Sequence, residues 1–225
     1  MSFVLPAPSQ PSVAVEGTAD RFPVRRVFCV GRNYAAHARE MGNDERDPPF
    51  FFTKPADALV GDGRTIPYPP QTEDLHHEVE LVVAIGTGGT DIRAEDALSH
   101  VWGYAIGNDL TRRDLQAEAK KAGRPWDWGK AFDNSAICGP VHRGPHPLTG
   151  AITSRVNGEE RQRGDLSDMI WSVPEIIAAC SASVTLVPGD LIYTGTPAGV
   201  GALQRGDSCT CKIEGLGAIT TIIAP

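Results

Sequence analysis

Short apolar runs, separated by 18 prolines and 24 glycines, are the feature that most restricts how this chain can fold. The runs are rich in β-branched residues, which pack well on a pleated surface, while glycine and proline mark turns. The pattern predicts strands at Val27–Val30, Glu80–Ile85, Val101–Ile106, Ile152–Val156, Leu191–Thr194, Ser208–Ile213 and Ile219–Ile223. Asn157-Gly158 also predicts a tight hairpin turn.

Helix signals are fewer and fall in three places. A helix often begins after a side chain that accepts a backbone N–H, and it often ends at a glycine. The predicted helices are Tyr34–Met41 after Asn33, a helix opened by Thr111 and Asp114 that runs to Ala122, and Ile176–Ser181 after Ser172 and Glu175. Because strands and helices do not alternate regularly, the order favours an α+β fold over a doubly wound sheet.

Composition indicates a folded chain with one main domain. Hydrophobic residues make up 41% and charged residues 22% of the 225 residues, which is enough for a buried core. The first 24 residues are rich in proline, serine and alanine, so we expect an N-terminal surface arm at 1–24 and a single globular domain at 25–225.

Charge and cysteine content exclude several classes of protein. A formal net charge of −7 argues against a nucleic-acid binder. No uncharged apolar run approaches the ~20 residues that cross a bilayer, so we expect no membrane partner. The first residues carry no charged region of the kind that opens a signal peptide. Five scattered cysteines fit reduced thiols, which favours a cytoplasmic protein.

Three carboxylates are candidates for a metal site. Glu78 and Glu80 are two residues apart at the start of an apolar strand, so both project to one face. Two adjacent carboxylates are unfavourable unless a cation or a proton offsets their charge, and Mg²⁺, Mn²⁺ or Ca²⁺ prefers such oxygen ligands. Asp109 follows another apolar strand and would complete the site. The alternatives are a charged strand edge for the glutamates and a helix cap for Asp109.

Two further groups could take part in catalysis. His37 and Glu40 share one face of a predicted helix, where the carboxylate could orient the imidazole for water activation. Lys130 follows the aromatic segment 126–128, which could partly remove the lysine from water and suit it to oxyanion stabilisation. An ordinary surface pair and a solvated lysine remain the alternatives.

Candidate substrate contacts lie on a helix and in a glycine-rich loop. Arg113, Gln116 and Lys120 form a stripe along the helix after Asp109, where Arg113 could bind a carboxylate and Lys120 most simply faces solvent. Gly195 and Thr196 end a strand and could hold a carboxylate through an amide or hydroxyl, although a plain turn is the alternative.

Together these segments resemble the fumarylacetoacetate hydrolase family, in particular its acylpyruvase and fumarylpyruvate hydrolase branch. The matching segments are Cys29–Met41, Phe52–Pro55, His76–Leu81, Gly107–Gln116, Gly129–Asp133 and Tyr193–Gly201. The resemblance implies a β-rich mixed sandwich roll with a few short helices, a homodimer, and a site dependent on Mg²⁺ or Mn²⁺.

The resemblance also implies a role for each candidate residue. Glu78, Glu80 and Asp109 match metal ligands, His37 and Glu40 a water-activating dyad, and Lys130 a third catalytic group. The implied substrate contacts are Arg113, Gln116, Thr196, Gly195, Arg32 and Tyr34.

The expected activity is hydrolysis of a C–C bond in a 2,4-diketo acid. The first candidate substrate is fumarylpyruvate, cleaved to fumarate and pyruvate in gentisate or other aromatic catabolism. The same residues could serve a decarboxylase of oxaloacetate or a related β-keto acid, or an isomerase and decarboxylase of the homoprotocatechuate type. A non-catalytic binding protein is disfavoured because clustered carboxylates without a cation cost stability.

Overall fold

Strands dominate the structure. The computed structural model describes residues 3–34, 47–146 and 148–225. In these ranges the strands are β1 Ser12–Ala14, β2 Arg21–Pro23, β3 Arg26–Gly31, β4 Phe50–Lys54, β5 Leu59–Val60, β6 Thr65–Ile66, β7 Leu75–His77, β8 Val79–Ile85, β9 Val101–Asp109, β10 Thr111–Arg112, β11 Ala136–Cys138, β12 His142–Arg143, β13 Ala151–Val156, β14 Glu159–Asp165, β15 Asp190–Tyr193, β16 Gly201–Leu203, β17 Ser208–Ile213 and β18 Gly217–Ile223.

Helices are few and short in the described ranges. The α-helices are α1 Arg113–Ala122, α2 Asp127–Lys130 and α3 Val173–Ser183, with 3₁₀ turns at Ala56–Ala58, Ala97–His100 and Leu166–Asp168. The predicted helix Tyr34–Met41 lies outside the described residues after Tyr34.

A large mixed sheet forms the centre of the fold. Its order is β4-β3-β15-β8-β9-β11-β5, with β12 also paired to β9. Strand β15 runs parallel to β3, and β11 parallel to β5, whereas the pairing of β8 with β9 is antiparallel. Every residue of β8 is buried, and all except Glu80 are apolar, because both faces of the strand are covered.

A second sheet and a hairpin cover the two faces of the large sheet. The five-stranded sheet β14-β13-β17-β18-β6 shares a core with one face, where Leu81 and Val83 pack with Ile152 and Ile213. Alternate residues of β8, such as Val82, belong to a second core on the opposite face. The predicted α+β sandwich roll is confirmed, and the burial of β8 follows from these two layers.

The N-terminal segment is more ordered than a surface arm. Strands β1 and β2 form an antiparallel hairpin in residues 12–23. Val13, Phe22 and Val24 are buried in the core on the second face of the large sheet. This proline-rich stretch has too few regularly spaced apolar residues to predict the hairpin. The sequence alone therefore indicated an arm.

Two capping predictions have opposite outcomes. At α3, Ser172 and Glu175 form the predicted reciprocal cap. At α1, the prediction was wrong, because Thr111 lies in β10 and Arg112 precedes the first helical residue. The Asp114 carboxylate instead accepts the Thr72 hydroxyl at 2.6 Å. A contact distant in sequence therefore replaces the local cap.

Other local predictions are confirmed. Asn157 and Gly158 have positive φ values of 51° and 85° between β13 and β14, as a tight hairpin requires. All five cysteines are free, buried thiols. Among the described residues, none of the helices combines the length and apolar character that a membrane span requires.

Candidate metal centre and active site

Three buried carboxylates converge where β8 and β9 meet. Glu80 lies in β8, Glu78 directly precedes this strand, and Asp109 is the last residue of β9. The antiparallel pairing brings the start of β8 beside the end of β9, and the Asp109 N–H donates to the Glu78 carbonyl at 2.9 Å. One oxygen from each carboxylate lies within 4.8 Å of the others. The structure therefore brings together the three acids that the sequence proposed as ligands.

Cationic side chains surround this acidic cluster. The Lys130 Nζ lies 2.7 Å from Glu78 Oε2 and 2.8 Å from Asp109 Oδ2. The Lys54 Nζ lies 2.7 Å from Asp109 Oδ1, and Arg113 donates to Glu78 Oε1. Both lysine side chains are almost completely buried. Each therefore depends on carboxylates for compensation of its charge.

The electrostatics differ between the two glutamates. Burial alone would raise the pKa of Glu78, but the neighbouring Lys130 and Arg113 hold that pKa well below its usual range. Burial, together with the charges of Asp109 and Glu78, raises the pKa of Glu80 well above its usual range. Lys54, Lys130 and Arg113 thus contact Asp109 and Glu78, whereas Glu80 has no ion pair with a cation among the described residues. Three carboxylate donors around such a point fit a hard divalent cation.

Backbone groups and amides hold the carboxylates in place. The Glu78 N–H donates to Asn108 Oδ1 at 2.9 Å. The Gly195 N–H donates to Glu80 Oε2 at 2.8 Å. Gly195 has a φ of 96°, and a Cβ there would lie 2.7 Å from the Asn33 Cβ. This position therefore requires glycine if the loop is to reach Glu80.

A buried glutamine fixes the Thr196 hydroxyl. The Gln162 Nε2 donates to Thr196 Oγ1 and to the Pro197 carbonyl, both at 2.8 Å. The Gln162 Oε1 accepts the Val79 N–H at 3.1 Å, so backbone partners on both sides fix the amide orientation. Thr196 in turn donates to the Val79 carbonyl at 2.8 Å. The hydroxyl hydrogen of Thr196 is therefore already used in a hydrogen bond within the protein.

One cavity contains most of the predicted site. The predicted residues that line it are Arg32, Glu78, Glu80, Asp109, Arg113, Gln116, Lys130 and Thr196. Phe52, Trp126 and Lys120 are also in its lining. The solvated position expected for Lys120 is therefore wrong. Trp126 packs edge to face against Phe50 and lies close to Phe52, so an aromatic wall borders the charged groups.

The remaining predicted residues lie elsewhere. Gly195 contacts Glu80 but does not line the cavity, and Tyr34 is buried outside the lining. His37 and Glu40 lie outside the described residues. The Asn33 side chain, predicted to cap a helix, donates to the Thr194 and Trp171 carbonyls and accepts the Trp171 N–H.

Sequence reasoning missed Lys54. It sits in the apolar strand β4, yet its ammonium reaches Asp109 and two backbone carbonyls, those of Leu110 and Lys130. The one available signal was a lysine two residues after three consecutive phenylalanines. Such a lysine needs a buried anionic partner, but nothing in the local sequence identifies Asp109 as that partner.

Comparison with known proteins agrees with this geometry. The family profile "Fumarylacetoacetate (FAA) hydrolase C-terminal" matches residues 26–224. The chain belongs to the fumarylacetoacetate hydrolase family. The chain is therefore an enzyme of this family, and its buried acidic triad fits a divalent metal.

Several relatives from this family are similar over most of their length. A fumarylpyruvate hydrolase of Pseudomonas aeruginosa, solved in complex with Mn²⁺ and pyruvate, superimposes with a TM-score of 0.95 at 52% identity over 99% of both chains. A fumarylpyruvate hydrolase of a Ralstonia species is 44% identical, covering 78% of this chain and 93% of the relative. An oxaloacetate tautomerase of Escherichia coli is 40% identical, covering 92% of this chain and 97% of the relative.

Proposed function

We propose that this member of the fumarylacetoacetate hydrolase family hydrolyses fumarylpyruvate to fumarate and pyruvate with the help of Mg²⁺ or Mn²⁺. The observation that carries the proposal is one cavity that contains three converging carboxylates, four cationic side chains and an aromatic wall. The similarity to two fumarylpyruvate hydrolases supports this choice of substrate.

The residues of the cavity suit C–C cleavage next to a keto group. Glu78, Glu80 and Asp109 would hold a divalent cation, which supplies Lewis acidity where the negative charge of an enolate develops. Burial would lower the pKa of Lys130, but Asp109 and Glu78 outweigh burial and raise that pKa. Lys130 therefore stays protonated near neutral pH and can stabilise an oxyanion or deliver a proton.

Substrate binding would involve the helix α1 and the Thr196 loop. Gln116 is buried at the cavity wall, and its Oε1 accepts from Arg113 at 2.7 Å, which leaves the amide hydrogens for a substrate oxygen. Because the Thr196 hydroxyl already donates to Val79, this threonine would contribute an accepting oxygen or its backbone N–H. Trp126 and Phe52 would limit the access of water.

Water activation is assigned to His37 and Glu40 on the family resemblance. Glu40 would accept a proton through His37 while water attacks the C4 carbonyl of the diketo acid. The resemblance further predicts a homodimer in a cytoplasmic pathway of gentisate breakdown, with Mg²⁺ or Mn²⁺ as the metal.

A second candidate function is tautomerisation of oxaloacetate. The similarity to the Escherichia coli oxaloacetate tautomerase, and to others at 41–42% identity, favours it. This reaction moves a proton between carbon and oxygen and needs no nucleophilic water. Decarboxylation of oxaloacetate, the alternative predicted from sequence, likewise needs no water attack but releases CO₂.

Replacement of Glu40 by glutamine is expected to lower kcat/KM for fumarylpyruvate at least about a hundredfold, because the general base is lost. The measurement is the decay of the diketo absorbance, beside a tautomerisation assay and a CO₂ assay with oxaloacetate. Glu45→Gln, in the same stretch of sequence, is the matched control and should retain wild-type rates.

Three outcomes separate the candidate functions. Fumarate and pyruvate as products, with the Glu40 dependence above, support the hydrolase. Oxaloacetate tautomerisation that exceeds fumarylpyruvate hydrolysis in the wild type would favour the second candidate. CO₂ release without loss of diketo absorbance would replace both with the decarboxylase.

A further inference from the structure

We propose that Lys120 determines substrate specificity by binding the distal carboxylate of a dicarboxylate substrate. The inference deepens the proposed function and rests on it for the identity of that substrate. It follows from the position of Lys120 in the cavity and from the contacts of the neighbouring cations.

Lys120 lines the same cavity as the proposed metal ligands but lies further along helix α1. Arg113, Gln116 and Lys120 are at i, i+3 and i+7 of α1, so they share one face of the helix, and all three line the cavity. Arg113 contacts Glu78, and Lys120 lies seven residues further, about 10 Å along the helix axis. A ligand held at the carboxylate triad by one end can therefore extend toward Lys120.

Of the other three cations in the cavity lining, Lys130 and Arg113 already contact carboxylates. Lys130 bridges Glu78 and Asp109. Arg113 donates to Glu78, to Gln116 Oε1 at 2.7 Å and to His76 Nδ1 at 3.4 Å. Within the described ranges, Lys120 pairs with no carboxylate, and its Nζ lies 4.9 Å from the centre of the Trp126 ring. This contact holds the ammonium at the cavity wall without neutralising it.

The charges around Lys120 favour an anion. Burial and the guanidinium groups of Arg113 and Arg32 lower the pKa of Lys120 to about 8, with only a partly opposing effect from Glu78. Three positive groups thus face one end of the cavity. A bound carboxylate would relieve their mutual repulsion and form a charge-assisted hydrogen bond to the ammonium.

The ligand class follows from the two ends of the cavity. The carboxylate triad with its metal suits a 2-keto acid head group, and Lys120 suits a second carboxylate at the far end of the same molecule. Trp126 and Phe52 can contact the carbon chain that joins them. A dicarboxylic 2-keto acid of about the length of fumarylpyruvate therefore fits better than a monocarboxylic acylpyruvate.

Calorimetric binding to the Mn²⁺-loaded full chain tests this inference without requiring turnover. The ligands are 2-oxoheptanedioate and 2-oxoheptanoate, which share a chain length but differ in the distal carboxylate and lack the cleavable 4-keto group. The wild type should bind the diacid at least about tenfold more tightly, since a charge-assisted hydrogen bond has this order of strength. Lys120→Met should bring the affinities for the diacid and the monoacid to within about twofold of each other. Lys120→Arg should retain the wild-type preference for the diacid.

The controls separate a binding role from a structural one. Lys121→Met, at the exposed neighbouring position, should keep the wild-type ratio. Equal affinity of the wild type for both acids, or an equal loss of affinity for both in Lys120→Met, would overturn the inference. A preference for the diacid that depends on Lys120, in a protein that hydrolyses no diketo acid, would keep the inference and reject the proposed function.

Discussion

Replacement of Glu80 by glutamine is expected to abolish fumarylpyruvate hydrolysis while leaving the chelator-treated protein at least as stable as the wild type. Burial and the charges of Asp109 and Glu78 already raise the pKa of Glu80, so the folded chain accommodates a neutral group at this position. The glutamine carbonyl can still accept the Gly195 N–H. The variant is thus expected to keep its stability while it loses a proposed metal ligand.

The activity loss should be large because a divalent cation held by Glu78, Glu80 and Asp109 would offset the negative charge of the developing enolate. We expect kcat/KM to fall at least about a thousandfold, which corresponds to roughly 4 kcal/mol of transition-state stabilisation. The measurements are the steady-state decay of the diketo absorbance and a thermal melt with and without Mn²⁺. Mn²⁺ should raise the melting temperature of the wild type and leave that of the variant unchanged.

Glu118→Gln is the matched control for this variant, because Glu118 is an exposed glutamate on α1. It should behave like the wild type in both measurements. A Glu80→Gln variant that retains turnover and a Mn²⁺-dependent melt would show that Glu80 is not a ligand.

Replacement of Lys54 by methionine is expected to destabilise the metal-free protein by about 3–5 kcal/mol. The substitution removes the cation 2.7 Å from the buried Asp109 carboxylate. It also leaves the Leu110 and Lys130 carbonyls without the hydrogen bonds that Lys54 donates. Urea unfolding of chelator-treated protein measures this free energy.

Saturating Mn²⁺ should restore part of the stability lost in Lys54→Met, because a divalent cation compensates the unpaired carboxylate and binds the folded state. Lys121→Met, at an exposed position, should change the free energy of unfolding by less than about 0.5 kcal/mol. An equally small effect of Lys54→Met would show that the buried ion pair contributes no stability.

The elements that could be predicted from sequence are those set by local patterns. The apolar run of β8, the Asn157-Gly158 turn and the cap at Ser172 each depend on residues close together in the chain. The acidic triad was also accessible, because the spacing of Glu78 and Glu80 fixes their common face. Its third member needed the family resemblance, since spacing alone does not place Asp109 beside them.

The features that escaped prediction depend on contacts distant in sequence. Asp114 was expected to cap α1, but its carboxylate is used by Thr72, 42 residues away. Lys54 forms an ion pair with Asp109, which lies on a different strand. Lys120 was expected to face solvent, but it lines the cavity. A side chain's local pattern does not reveal which partner the tertiary fold supplies.

The most direct test of the central claim is the decay of fumarylpyruvate absorbance by the chelator-treated wild type, followed by addition of Mn²⁺ or Mg²⁺. If Glu78, Glu80 and Asp109 hold the ion on which the reaction depends, chelation will stop the decay and the added metal will restore it, with fumarate and pyruvate as products. Undiminished turnover by protein shown to be free of metal would contradict the account.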